Sequence, residues 1–165
     1  MKTLVIVFSY HHKNTEKIAQ VIAKVLDAPI KTSQQIHPTE LQEYDLIGFG
    51  SGIYGSKHHS ALLVLADSLS QVTDKKTFLF STCGAPAFAV DGGHVNDYIG
   101  KAHSALKEKL QLKGYTVVNE FMCPGFNTNS FLKFFGGINK GRPNANDLKR
   151  AEEFAMNLKK NIRGL

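Results

Sequence analysis

The chain has 165 residues, 42% hydrophobic and 21% charged, with a formal net charge of +6. That length accommodates one ordinary core and is short for two domains, and the near-average composition without repeats or polar tracts excludes solenoids and disorder. The basic balance raises nucleic acid as a partner, but the lysines are scattered and only "KFFGGINKGR" and "KKNIRGL" are locally basic, which reads as solvated faces rather than a phosphate-tracking surface.

Residues 3–8, "TLVIVF", form a continuous β-branched apolar run, the pattern of a strand buried on both faces. Asn14 and Thr15 are good helix starters, and Ile18, Ala19, Ile22, Ala23 and Leu26 follow at helical spacing. A short strand is expected near 28–32, a helical turn at "PTELQEY", and a second buried strand, "DLIGFGS", at 45–51. A helix over 60–69 and a strand over 76–82 come next. A long helix within 93–114 is closed by Gly114, and a fifth strand covers 115–123. The last helix, 146–162, is opened by Asn146 or Asn144. No apolar stretch reaches the roughly 20 residues that span a bilayer, and "MKTLVIVFSY" lacks the run length and cleavage site of a secretory signal, so a single cytoplasmic domain over 1–165 is expected.

Strands alternating with helices predict a doubly wound α/β fold, a parallel sheet covered on both faces. Such sheets bind ligands outside the carboxyl ends of their strands. Four segments share that rim: "SYHHKNT", "SGIYGSKHH", "STCGAP" and "CPGFNTNSFLKFFGGINKGRPN". The first runs from a buried strand into a helix, which gathers backbone N–H groups and the positive end of the helix dipole into an anion site. Ser9, Asn14 and Thr15 add side-chain donors there, and His11, His12 and Lys13 add donors or positive charge. There is no GxxxxGK[ST] and no GxGxxG, so neither a nucleoside triphosphate nor a dinucleotide in the usual manner is supported.

In order and spacing, "SYHHKNTEKIA", "GSGIYGS" and "STCGAP" resemble the three FMN-binding loops of the flavodoxin family, and the resemblance covers essentially the whole chain. It implies a flavodoxin-like five-stranded sheet in the order 2-1-3-4-5 and FMN as cofactor. The family's first loop usually reads T-x-T-G-x-T and wraps the phosphate. Asn14 and Thr15 match it, whereas Tyr10, His12 and Lys13 stand where Ser or Thr, Thr and Gly are common, so imidazoles and an ammonium replace hydroxyls. The second loop, with Ser51, Gly52, Ile53, Tyr54 and Gly55, implies an aromatic over the flavin at Tyr54 and a peptide meeting N5 at Gly55. The third, with Ser81, Thr82, Cys83 and Gly84, implies backbone N–H groups along the pyrimidine edge.

Adjacent histidines at 11–12 and 58–59 raise a metal site, but neighbours on an extended chain point to opposite sides and no carboxylate or CxxC completes a set. Cys83 and Cys123 read as small buried apolar residues. Familiar flavodoxins are acidic and dock on basic reductases, a match this basic chain does not offer. The segment over 124–144 is long for its position and carries Phe126, Phe131, Phe134 and Phe135, so it reads as a contact surface for a partner or substrate, the alternative being a satellite core. Its "GGINKGRPN" resembles a stretch in a flavodoxin-like subgroup of anaerobic bacteria and archaea, some fused to ferredoxin modules.

The resulting expectation is an FMN-binding electron carrier acting between redox protein partners, as a monomer or weak dimer, with no nucleic acid and no membrane. The rival is an NAD(P)H-dependent quinone or FMN reductase, or another flavodoxin-like oxidoreductase, taking a small quinone-like acceptor. No catalytic constellation demands it. A response-regulator-like module would need an acidic cluster after the first strand, which is missing.

Overall fold

The computed structural model describes residues 1–91 and 95–163. Strand β1 (Thr3–Phe8) leads into α1 (Asn14–Leu26), β2 (Ile30–Thr32), two 3-10 turns and β3 (Leu46–Tyr54). There follow β4 (Lys57–His58), α2 (Ser60–Ser68), β5 (Lys75–Cys83), α3 (Ala87–Val90), α4 (Val95–Leu112), β6 (Tyr115–Pro124), a 3-10 turn (Ser130–Phe135) and α5 (Ala145–Arg163). The expected start of the long helix at 93–94 lies outside the described residues.

The sheet runs β2-β1-β3-β5-β6, all parallel. With the two-residue β4 set aside, this is the expected 2-1-3-4-5 order. The continuous apolar runs do what their pattern requires: on β1, Val5 and Val7 pack under α1 and α5, while Leu4 and Ile6 pack under α2 and α4. Gly48 and Gly50 on β3 make room for the rings of Phe78 and Phe80, since a Cβ at either would lie 2.3 or 2.1 Å from a ring carbon.

Two local features differ from the sequence reading, and a third selects between the alternatives it left. Residues 51–59, expected as a loop, form a hairpin in which β4 pairs antiparallel with the end of β3. Gly55 and Ser56 both take positive φ, 56° and 62°, the geometry of a two-residue turn matched to strand twist. Helix α1 is entered through Lys13 in the left-handed region with no side-chain cap. The Ser9 hydroxyl instead accepts the Glu16 N–H at 3.2 Å. At α5 the choice falls on Asn144, whose side-chain oxygen accepts from the backbone of Asn146 and Asp147. Among the described residues, no helix is long and apolar enough to cross a membrane.

Candidate functional site

The carboxyl ends of β1, β3, β5 and β6 form one rim, because parallel strands in register all point their ends the same way. A cleft opens there, walled by Ser9, Tyr10, His11, Asn14 and Thr15 on one side and Gly52, Ile53 and Tyr54 on the other. Thr82, Cys83 and Gly84 form its floor, and Gly125, Phe126, Asn127 and Asn129 close it. It continues into a second hollow that shares Ile53, Cys83, Gly84 and Asn127 and adds Ala85, Tyr98, Ala102 and Met122.

Ten of the residues singled out in the sequence therefore meet in one place: Ser9, His11, Asn14, Thr15, Gly52, Ile53, Tyr54, Thr82, Cys83 and Gly84. The others do not line the cleft. His12 turns to the 124–144 segment, its Nε2 lying 2.8 Å from the Thr128 hydroxyl and its ring 4.5 Å from that of Phe126. The Lys13 ammonium lies 3.6 Å from the Glu16 carboxylate. Gly55 is at the hairpin tip, and Ser51 and Ser81 are buried beneath the floor.

The walls are tied together by short polar contacts. The Thr15 and Thr82 hydroxyls are 2.8 Å apart, joining α1 to β5. The Asn14 amide donates to the Phe126 carbonyl at 2.8 Å, while its own oxygen is buried without a partner among the described residues. Tyr54 is folded over Gly52, where an added Cβ would sit 3.0 Å from the ring. Burial pushes its hydroxyl up, against a hydrogen bond to the His11 backbone that pulls it down. His59 stacks on Phe8 with centroids 3.9 Å apart, and burial pulls its imidazole below the ordinary range.

The 124–144 segment contributes more to the cleft than its sequence suggested. Gly125 N–H donates to the Cys83 carbonyl at 2.8 Å, Asn127 to Gly84 at 3.2 Å and Asn139 to Ala85 at 2.7 Å. Gly84 is held so closely that a Cβ would sit 2.3 Å from the Asn127 amide nitrogen. The sequence reading put this segment on the shared rim, as a contact surface, but did not name Gly125, Phe126, Asn127 and Asn129 as walls of the cleft. Tyr98, at the start of α4, was also missed.

A flavodoxin domain model matches residues 5–160. The chain belongs to the flavodoxin family. An uncharacterized protein of Methanocaldococcus jannaschii is 44% identical over 161 residues, covering 98% of this flavodoxin-family chain and 100% of the relative. Among solved structures, oxidised flavodoxin 2 from Bacillus cereus superposes with a TM-score of 0.69 at 18% identity, covering 98% of this chain and 99% of that one. A flavodoxin from the domain Archaea gives 0.62 at 16% identity, covering 99% of both. At such identities these structures establish the fold alone.

The donor set fits the family's flavin. The α1 end of the cleft is polar, with hydroxyls, imidazole and the helix N-terminus. The far end is floored by Ile53, Ala102 and Met122. A ligand with a phosphate at one end and a flat ring at the other matches that polarity. The unpartnered Asn14 oxygen supplies an acceptor for a hydroxyl between them.

Proposed function

We propose that this flavodoxin binds FMN and carries electrons between redox partners. The observation that supports it best is the convergence of all three loops on one cleft, polar at α1 and apolar over Met122. Residues 9–15 receive the phosphate, with His11 as the wall imidazole and Ser9, Asn14 and Thr15 as uncharged donors. Tyr54 lies over the ring, and the backbone of Cys83 and Gly84 meets its edge. Gly55 stands at the hairpin tip beside the ring, Thr82 floors the cleft, and Ser51 and Ser81 support the loops from below. When bound, the flavin supplies reversible electron uptake, and the protein sets its potential by stacking and hydrogen bonds.

The partner docks on the same rim. Phe131, Phe134 and Phe135 are 65%, 77% and 81% exposed on the 3-10 turn beside the cleft, with Lys133 set over Phe134. An apolar patch with cations suits a partner bearing an acidic rim around its own redox centre.

Titrating the purified protein into FMN tests this reading: quenching of flavin fluorescence at one FMN per chain is expected, with FAD bound more weakly. A protein that quenches neither refutes it. A carrier also oxidises NAD(P)H negligibly without an added reductase, and robust turnover by the protein alone would move it among the reductases.

A further inference from the structure

Beneath the cleft lie four polar side chains, Ser51, His58, Ser81 and His103, all at most 1% exposed. Ser51 and Ser81 are cross-strand neighbours on β3 and β5. The Ser51 hydroxyl is 2.9 Å from His58 Nδ1 on β4, and the Ser81 hydroxyl is 2.8 Å from His103 Nε2 on α4. The two imidazoles face each other, centroids 4.7 Å apart and planes inclined by 34°. His103 Nδ1 lies 3.0 Å from the Glu120 carboxylate on β6, and the other oxygen of that carboxylate accepts from the Lys107 ammonium.

Packing alone explains none of this. Buried polar groups cost free energy unless fully paired, yet His58 Nε2 has no partner among the described residues. The position of the cluster is informative. The Ser51 hydroxyl donates to the Gly52 carbonyl, and Gly52 and Thr82, next on their strands, line the cleft. Ile53 and Cys83, one residue further, belong to both hollows. The opposite end reaches the surface, where Glu120 and Lys107 are 17% and 38% exposed.

The groups facing the pair are Glu120 from β6, Lys107 from α4, which donates to that carboxylate, and the His59 backbone N–H, which donates to Ser51 just before α2. Burial, and then the neighbouring His103, hold His58 well below the ordinary imidazole range. Burial pushes the Glu120 carboxyl up, but hydrogen bonds from His103 and Lys107 outweigh it, so Glu120 is an anion. Of the two imidazoles, only that of His103 touches a carboxylate among the described residues, that of Glu120.

We propose that His103, held between Ser81 and Glu120, is a proton-loading site for the cleft. It takes one proton from solvent when an electron enters the cleft and returns it when the electron leaves. The electron comes from the donor partner and the proton from water. In the unloaded state Nδ1–H donates to Glu120 and Nε2 accepts from Ser81. The added proton forms an N–H bond at Nε2, and the Ser81 hydroxyl turns to accept it. The positive charge formed beneath the floor offsets the negative charge arriving above it. This rests on the reading that the cleft holds a flavin.

Histidine side-chain NMR on the FMN-loaded protein, oxidised and chemically reduced across pH 5 to 9, tests it. One negative charge gained in the overlying cleft should move protonation of the pair upward in pH on reduction, by roughly half a unit or more. In His103→Gln and Glu120→Gln the pH dependence of the midpoint potential should fall to that of the flavin's own protonation while FMN affinity changes less than about twofold. Imidazole signals that ignore reduction, or an unchanged potential–pH profile in His103→Gln, overturn the inference. FMN bound with unmoved imidazoles removes this inference alone. Absence of FMN binding removes both.

Discussion

Replacing Phe131 and Phe134 together by serine separates a docking surface from a core. Their side chains are 65% and 77% exposed, so about a third of one and a quarter of the other are buried. Truncating a fully buried phenylalanine costs about 3 to 5 kcal/mol. Scaled by those fractions, the double variant should lose no more than about 2 to 3 kcal/mol, against roughly 6 to 10 kcal/mol if both rings were core. Neither residue lines the cleft, to which their segment contributes Gly125, Phe126, Asn127 and Asn129. FMN affinity should therefore stay within about threefold while electron exchange with a cognate partner slows. Urea unfolding followed by circular dichroism gives the stability, and FMN fluorescence gives the affinity. A loss above about 5 kcal/mol, or FMN release, would show that the turn seals the domain and would refute the docking surface.

Acid stability should carry the signature of His58. Its folded-state pKa is depressed by burial, so the unfolded chain binds a proton near pH 6.5 that the native chain does not. The contribution is complete above about pH 6.5 and lost as pH falls below it, at up to about 1.4 kcal/mol per pH unit. His58→Asn should flatten that slope in urea unfolding at stepped pH, and an equal slope would contradict the assignment. Asp147→Ala should cost about 3 to 5 kcal/mol in the same assay, because the fully buried carboxylate accepts from Arg142 at 2.5 and 2.6 Å and from the Asn144 N–H at 2.8 Å. A loss under 1 kcal/mol would mean that Arg142 is satisfied by Asp91 alone.

Much of this architecture is written locally. The β-branched run at β1 and the apolar runs at β3 and β5 read as strands buried on both faces, and the spacing of Ile18, Ile22 and Leu26 reads as a helix on one of them. With strand ends aligned by register, the order of the loops was enough to place Ser9, Asn14, Gly52, Tyr54 and Gly84 on one rim. What the sequence could not assign is which of several adjacent polar residues faces the rim. His11 lines the cleft and His12 leaves it, because left-handed backbone at His12 and Lys13 turns the chain and Thr128 captures the second imidazole. Nor could it pair Ser81 with His103, or His103 with Glu120, 22 and 17 residues apart. Strand and helix periodicity depends on near neighbours along the chain. Contacts between β5, α4 and β6 depend on how helix and sheet faces pack, and only the folded chain decides that.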